Sequence, residues 1–359
     1  MKIVSYFGFR YSNLEMDFKN YLNIAALKID LEIDSFFKIW IKEIEETSPR
    51  LLPLSKAFFD ACRGGKRIRG TLVCLGYDLV GQRKTPYIFD VAVAYELFQT
   101  AILVHDDIID KSPKRRGKPT LHKMLGGKHY GISQAICLGD IGFFLASQLV
   151  ARSKFPDRQK NKALLFFSRA MYATGIGELL DVELSRMRTA GSEEDIYTIY
   201  RLKTAFYTIV APLSLGAILA GADKKVLNAI RVYGENIGIT YQIQDDINDI
   251  LGTRKNLNKQ PGADVREGKS TLLYLYAYKH ADKEQKKVLL DIYGKENATQ
   301  KDIDKIKNIF LATGAVEHVR SKAQEYIDDA KKVIPHITKN KKQSELLEEI
   351  AQFFVKKVL

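Results

Sequence analysis

Apolar residues recur at three- and four-residue spacing along most of the chain, and strictly alternating runs are scarce. That period predicts helices joined by short polar links, and so an all-α protein. After an aromatic-rich lead, Ile33, Phe36, Phe37, Trp40 and Ile44 fall on one helical face. Residues 1–50 read as an N-terminal helical extension packed on the core, and residues 51–359 as a single domain without an internal boundary. Pro49 and Pro53 mark the join. Beyond it the pattern predicts helices over 54–61 and 71–80, a long apolar helix over 86–105, a turn at GGKHYG (126–131), a buried helix over 136–150, a polar loop over 152–161 and a helix over 163–188. Ser192 with Asp195, and Thr299 with Asp302, have the spacing of capping boxes. The first opens the helix that carries Lys203 and Thr204, and residues 271–359 read as amphipathic helices of mixed charge.

Composition narrows this picture. With 359 residues, 46% of them hydrophobic, the chain has ample material for a core. The uncharged stretch 204–222 is long enough to suggest a membrane span, but Pro212 and several hydroxyl residues interrupt it, and it reads as a buried core helix. The N-terminus lacks the apolar segment and cleavage site of a secretion signal, so the expected location is cytoplasmic. Cys62, Cys74 and Cys137 are odd in number and too far apart for a zinc knuckle, which fits reduced thiols. A net charge of +13 admits nucleic acid, an anionic lipid surface or a polyanionic substrate. That charge is scattered and no nucleic-acid-binding motif accompanies it, so no nucleic acid is expected as a partner. Weak peripheral contact with an anionic membrane stays open.

The candidate chemistry gathers at LVHDDIIDKSPKRRG, residues 103–117. On a helix Asp106 and Asp110 share one face with Asp107 beside them, and three neighbouring carboxylates either raise one another's pKa or recruit a cation. An all-oxygen donor set suits Mg²⁺. YQIQDDINDILG repeats the pattern with Asp245, Asp246 and Asp249. Two such clusters facing each other would hold Mg²⁺ and, through it, a polyphosphate. Cations surround the theme. Gly64 and Gly65 precede Lys66, Arg67 and Arg69 at a helix start, the composition of a diphosphate site; Lys114, Arg115 and Arg116 follow the first cluster; Lys203 stands before the longest apolar run. Lys259 and Lys269 flank the loop-like stretch 252–268, which could close over the site. Glu178 and Asp181 read as helix surface or as supports behind the ligands, Asp140 as a satisfied core polar group, and His105 as structural.

Taken together, GGKRIR, DDIID with RRG, KT, QIQDDINDILG and NKQPGADVREGKST resemble, in order, the motifs of the trans-type polyprenyl diphosphate synthases, the family of farnesyl and geranylgeranyl diphosphate synthases. The similarity spans residues 51–278. It implies one isoprenoid-synthase-type helical bundle around a central cavity, usually a homodimer, that condenses isopentenyl diphosphate head to tail with an allylic diphosphate using Mg²⁺, three ions in all. By the same resemblance Asp106, Asp107, Asp110, Asp245 and Asp249 are metal ligands, with Asp246 in support. Arg115, Lys203, Lys259 and Lys269 match ligands of the allylic diphosphate; Lys66, Arg69, Gln99 and Arg116 match the isopentenyl diphosphate site; Thr204 and Gln242 match polar residues near the allylic C1. Gln99 stands where many relatives carry histidine, and Glu178 where farnesyl-type relatives often carry glutamine.

Product length should follow from what lines the helix below the aspartates. Ala101, five residues before Asp106 and about 7.5 Å along the axis, is small, as a site without an aromatic stop would be, and Ile102 lies beside it. Tyr95, eleven residues before Asp106, is a candidate deeper floor. The reading favours a twenty-carbon geranylgeranyl product or a longer one. The alternatives are a class I terpene synthase, which would normally carry an Asn/Ser/Glu second motif, and a non-catalytic partner subunit, which usually lacks one aspartate motif.

Overall fold

The computed structural model describes residues 17–81, 85–187, 191–252 and 261–356, so the aromatic lead and Lys259 lie outside the described residues. Helix α1 (Phe18–Thr47) starts at Asp17, whose side chain accepts the Asn20 N–H. It buries Ile33, Phe37 and Trp40 against the core, with Phe36 and Ile44 partly covered. Helices α2 (Leu52–Cys62), α3 (Ile68–Val80) and α4 (Ile88–Ile109) follow. A two-residue hairpin pairs Lys114–Arg115 (β1) with Lys118–Pro119 (β2) through a turn in which Arg116 and Gly117 both take positive φ, the left-handed geometry that tight hairpins require. The chain continues through α5 (Leu121–Met124), α6 (Lys128–Arg152) and α7 (Asp157–Met187).

Helix α8 (Glu193–Ile199), a π-helical stretch (Tyr200–Val210) and α9 (Ala211–Leu219) form one continuous rod, and the capping box of Ser192 and Asp195 opens it. Then come α10 (Lys224–Leu251), α11 (Ala263–Glu267), α12 (Leu272–His280), α13 (Lys283–Ile292), α14 (Gln300–Ala312), α15 (Ala315–Ile337) and α16 (Lys341–Lys356). The Thr299–Asp302 box opens α14 as its spacing predicts. Three apolar clusters fill the bundle: one among α1, α2, α4, α6 and α7, one under α12 to α15, and one joining α3, α9, α10 and α16.

Two boundaries differ from the sequence reading. The polar segment expected as a loop over 152–161 is helical from Asp157, because Pro156 ahead of an acidic first turn suits a helix start, with Arg158 and Asn161 exposed and Gln159 and Lys160 partly covered. The turn at 126–131 ends at Gly127, where α6 begins. Nor is α6 buried as expected. Among the described residues three helices are by length and composition apolar enough to cross a membrane; the Glu193–Leu219 rod buries 83% of its most apolar window, whereas α6 buries 39%. Phe144, Leu165, Tyr172 and Leu179 on α6 and α7 are exposed, and Asp140 is exposed as well rather than set in the core. Cys62 and Cys74 are buried, and burial pushes the Cys62 thiol up to about 12 and that of Cys74 up as well, which makes both inert.

Candidate active site

Both aspartate clusters sit at helix C-termini. Asp106 and Asp107 lie in the last turns of α4 with Asp110 as its C-cap, and Asp245, Asp246 and Asp249 lie in the last two turns of α10. The helix dipole is negative there, so these carboxylates repel the helix end as well as one another. Basic side chains from elsewhere in the fold compensate. The hairpin returns Arg115 so that its Nε lies 2.7 Å from Asp107 Oδ1 and its Nη2 2.7 Å from Asp106 Oδ2. Lys203 Nζ lies 2.6 Å from Asp181 Oδ2, 2.7 Å from Glu178 Oε2 and 3.9 Å from Asp106 Oδ1. Lys269 Nζ lies 3.0 Å from Asp181 Oδ2 and 3.3 Å from Asp110 Oδ1.

The protonation equilibria follow from this crowding. Burial pushes Asp107 up to about 6, with Arg115 pulling it back and Asp106 and Asp110 adding to the rise. Burial raises Glu178 too, against the pull of Lys203. Burial alone would raise Asp181 and lower the two lysines. The Asp181–Lys269–Lys203 attraction reverses both, holding Asp181 below its usual range and the lysines above theirs. Sequence reasoning left Glu178 and Asp181 as surface or support; the structure makes them the anchors of two cations. The available signal was their four-residue context in GELLD, facing a lysine-bearing helix.

The π-helical stretch presents Lys203 and Thr204, and two glycines let neighbouring helices reach it. A Cβ on Gly177 would lie 2.6 Å from Lys203 N, and one on Gly238 would lie 2.2 Å from Ala205 Cα. These crossings bring α7 with Glu178 and Asp181 to one side, and α10 with its aspartates to the other. A polar chain then runs inward: Thr204 Oγ1 donates to Gln242 Oε1 (2.5 Å), Gln242 Nε2 donates to Asp246 Oδ1 (2.7 Å), and the Tyr200 hydroxyl donates to Asp246 Oδ2. Burial pushes the Asp246 carboxyl up. Asp249 accepts the N–H groups of Ala263 and Asp264 at 3.2 and 3.1 Å, fixing the start of α11, while Asp245 is exposed.

A second basic group lies beside the first. Arg69 Nη2 donates to Thr208 Oγ1 (2.8 Å) and its guanidinium lies 4.3 Å from the Tyr207 ring centroid, leaving Nε buried without a partner among the described residues. Gln99 is buried with its carboxamide oxygen likewise unpartnered. Arg116 Nη1 donates to the Gly64 carbonyl (3.3 Å), and Lys66 is exposed, 6.0 Å from the Phe353 ring.

Below the aspartates the lining departs from expectation. Ala101 is buried against α6, where a Cβ on Gly142 would come within 3.0 Å of it and 2.8 Å of Phe58. Its small size therefore lets α4 and α6 close up. Ile102 is partly buried. Tyr95 is buried with its hydroxyl donated to the Tyr207 carbonyl (2.8 Å), and Phe98 stands between it and the aspartates. The Phe98 ring lies 5.5 Å from Tyr95, 5.1 Å from Phe167 and 5.8 Å from Phe143. Sequence reasoning passed over Phe98 because an apolar residue in an apolar helix carries no local signal. His105 places Nδ1 3.0 Å from the Ala101 carbonyl and Nε2 3.2 Å from Asp140, and its ring stacks on Phe143, the arrangement of a structural imidazole.

Among the described residues no three carboxylate, imidazole or thiol groups converge closely enough to hold a metal ion, since the first cluster faces Arg115, Lys203 and Lys269. The donors themselves are hard oxygens at two helix ends on either side of the π-helical stretch, which fit Mg²⁺. The fold and these paired clusters define an isoprenoid synthase that transfers prenyl groups. The sequence profile of the polyprenyl synthetase family matches residues 53–310, and the chain belongs to that family, whose members depend on Mg²⁺. The geranylgeranyl diphosphate synthase of Saccharolobus solfataricus is 30% identical over 345 residues, 95% of this chain and 98% of that one. The geranylfarnesyl diphosphate synthase of Aeropyrum pernix is 30% identical over 300 residues, 82% and 91% of the two chains. A crystal structure of geranylgeranyl pyrophosphate synthase from Corynebacterium glutamicum, complexed with isoprenyl diphosphate and magnesium, matches with a TM-score of 0.87 at 26% identity, covering 95% of this chain and 100% of that chain.

Proposed function

We propose that this protein condenses isopentenyl diphosphate with an allylic diphosphate to give a trans-polyprenyl diphosphate of twenty carbons or more, and that twenty is the main product. The observation that carries the reading is the pair of adjacent basic groups above one apolar helix face: Arg115, Lys203 and Lys269 among the aspartates, and Lys66, Arg69 and Arg116 beside them. Two anionic heads need two such groups. A terpene cyclase, which takes one diphosphate, has no use for the second, and a non-catalytic subunit has no need of both aspartate motifs.

Mg²⁺, expected as three ions, supplies positive charge to the departing diphosphate when bound between Asp106, Asp107, Asp110, Asp245 and Asp249. Arg115, Lys203 and Lys269 hold that diphosphate as the bond from its oxygen to allylic C1 breaks and the electron pair leaves with it. Lys66, Arg69 and Arg116 orient the second diphosphate so that its terminal double bond attacks C1. Thr204 on the π-helical stretch, next to Lys203, and Gln242 on α10 are joined by a hydrogen bond, and their oxygens are assigned to stabilising charge at C1. A proton then leaves the new cation to the released diphosphate, which restores an allylic diphosphate. His105 is tied up by Ala101 and Asp140 and takes no part.

The exposed apolar residues support a homodimer. Leu165, Tyr172 and Leu179 recur at seven-residue spacing along α7, and Phe144 stands on the adjacent α6. Such a stripe suits burial against a second copy. Two buried inert thiols and no disulfide among the described residues accord with a cytoplasmic setting. The deciding experiment incubates purified protein with isopentenyl diphosphate, Mg²⁺ and dimethylallyl, geranyl or farnesyl diphosphate in turn, with products sized by mass spectrometry. A dominant twenty-carbon diphosphate supports the reading; no Mg²⁺-dependent condensation with any primer sinks it.

A further inference from the structure

Arg67 sits in the glycine-rich stretch between two residues assigned to isopentenyl diphosphate, yet it faces the other way. It is 4% exposed, while Lys66 before it is exposed. Its backbone is left-handed (φ 52°, ψ 31°) at the N-cap of α3, a conformation that a non-glycine residue keeps only when its surroundings enforce it. Two carboxylates provide that enforcement. Asp30 on α1 accepts from Arg67 Nε at 2.7 Å, and Glu96 on α4 accepts from Nη1 at 3.4 Å through Oε2. Glu96 is itself buried, and its other oxygen Oε1 accepts the Gly70 N–H at 2.8 Å in the first turn of α3.

One buried carboxylate thus fixes both the arginine side chain and the first turn of α3 at Gly70, three residues beyond it. The result is a sharp turn. Before it, Gly64 and Gly65 lie against Arg116; after it, Arg69 is aimed at Thr208 and Tyr207. Without the Arg67 anchor the chain would relax to an extended or ordinary helical entry, and the placement of Lys66 before the turn relative to Arg69 after it would change. Packing reinforces the link to α1, since a Cβ on Gly70 would meet Ile29 Cδ1 at 2.9 Å and Glu96 Cγ at 3.1 Å.

We propose that Arg67, held by Glu96 and Asp30, is a positioning residue for isopentenyl diphosphate, and that α1 belongs to that substrate's site through Asp30. This rests on the assignment of Lys66, Arg69 and Arg116 to isopentenyl diphosphate. The test is steady-state kinetics on the full-length enzyme, varying each substrate separately, with melting temperatures measured alongside. Arg67→Gln and Glu96→Gln are expected to raise KM for isopentenyl diphosphate about tenfold while KM for the allylic diphosphate stays within about twofold. Asp30→Asn removes a half-exposed carboxylate and is expected to act in the same direction by about threefold with an unchanged melting temperature. Arg67→Lys, which keeps the charge but not the two-point hold, is expected to restore only part of the loss. An unchanged KM for isopentenyl diphosphate in Asp30→Asn and Arg67→Gln overturns the proposal, as do KM values for both substrates rising together with a falling melting temperature. Lys66→Ala separates the two layers: if it too leaves that KM unchanged, the site assignment itself has failed.

Discussion

Lys203 and Lys269 converge on a single oxygen, Asp181 Oδ2, at 2.6 and 3.0 Å. One buried carboxylate therefore spaces the two amines that are to grip a diphosphate. Asp181→Asn removes the charge that the two amines share and leaves Lys203 to Glu178 and Lys269 to Asp110, and should destabilise the protein by roughly 3 kcal/mol while lowering kcat/KM for the allylic diphosphate. Because the Asp181 carboxyl is held below its usual range, its contribution is present above the unfolded value of 3.8 and is lost as pH falls through the lower folded value. Urea melts at neutral and acid pH check this; equal stability of wild type and variant at neutral pH contradicts it.

Asp106→Ala and Asp245→Ala should each lower turnover by about 100-fold or more with folding intact, since each removes a carboxylate assigned to the proposed Mg²⁺ site at a helix end. Circular dichroism and rates at saturating Mg²⁺ decide the matter. Unchanged rates in both variants would remove the metal clamp from the mechanism.

Asp107 predicts a pH effect with a definite sign. Its carboxyl titrates at about 6 in the folded protein against 3.8 unfolded, so the folded state holds a proton across that interval and its stability declines as pH rises through it. At the proposed metal site Mg²⁺ would displace that proton. The Mg²⁺ concentration for half-maximal rate should therefore be higher at about pH 5.5 than at about pH 7.5, approaching tenfold per unit below the pKa. A requirement independent of pH would mean that Asp107 does not bind the ion.

Phe98 lies about 12 Å along α4 from Asp106, ahead of Tyr95. Phe98→Ala should lengthen the products by at least one isoprene unit and cost about 3–5 kcal/mol of stability. Tyr95→Phe keeps the ring and loses only the bond to the Tyr207 carbonyl, so product length should hold. Mass spectrometry of both product sets tests the order of the two barriers, and a Phe98→Ala profile identical to wild type removes Phe98 as the floor.

Gly177→Ala forces a methyl to within 2.6 Å of the Lys203 backbone nitrogen. Separating α7 from the π-helical stretch should cost about 1–3 kcal/mol and weaken allylic-diphosphate binding through the shifted Asp181. The checks are the melting temperature and KM for the allylic substrate. A variant with wild-type values for both would show that the crossing is looser than the geometry implies.

The helical class, the two aspartate motifs and the capping boxes at Ser192 and Thr299 were legible in the sequence because each is a local pattern. Periodicity of three to four residues, and carboxylates at i, i+1 and i+4, depend on no distant neighbour. Tertiary structure alone decided what those motifs face. Asp181 meets Lys203 across 22 residues and Lys269 across 88, and Arg69 finds Thr208 across 139. No spacing rule encodes such pairs, since they arise only where distant elements pack together, as α7 does on the π-helical stretch at Gly177. Other helix contacts gave Ala101 its packing role against Gly142 and turned Arg67 away from its neighbours toward Glu96. Residue types and local order came from the chain itself; which charges balance, and which apolar residue blocks the path, came from long-range contacts that exist only once the helices have packed.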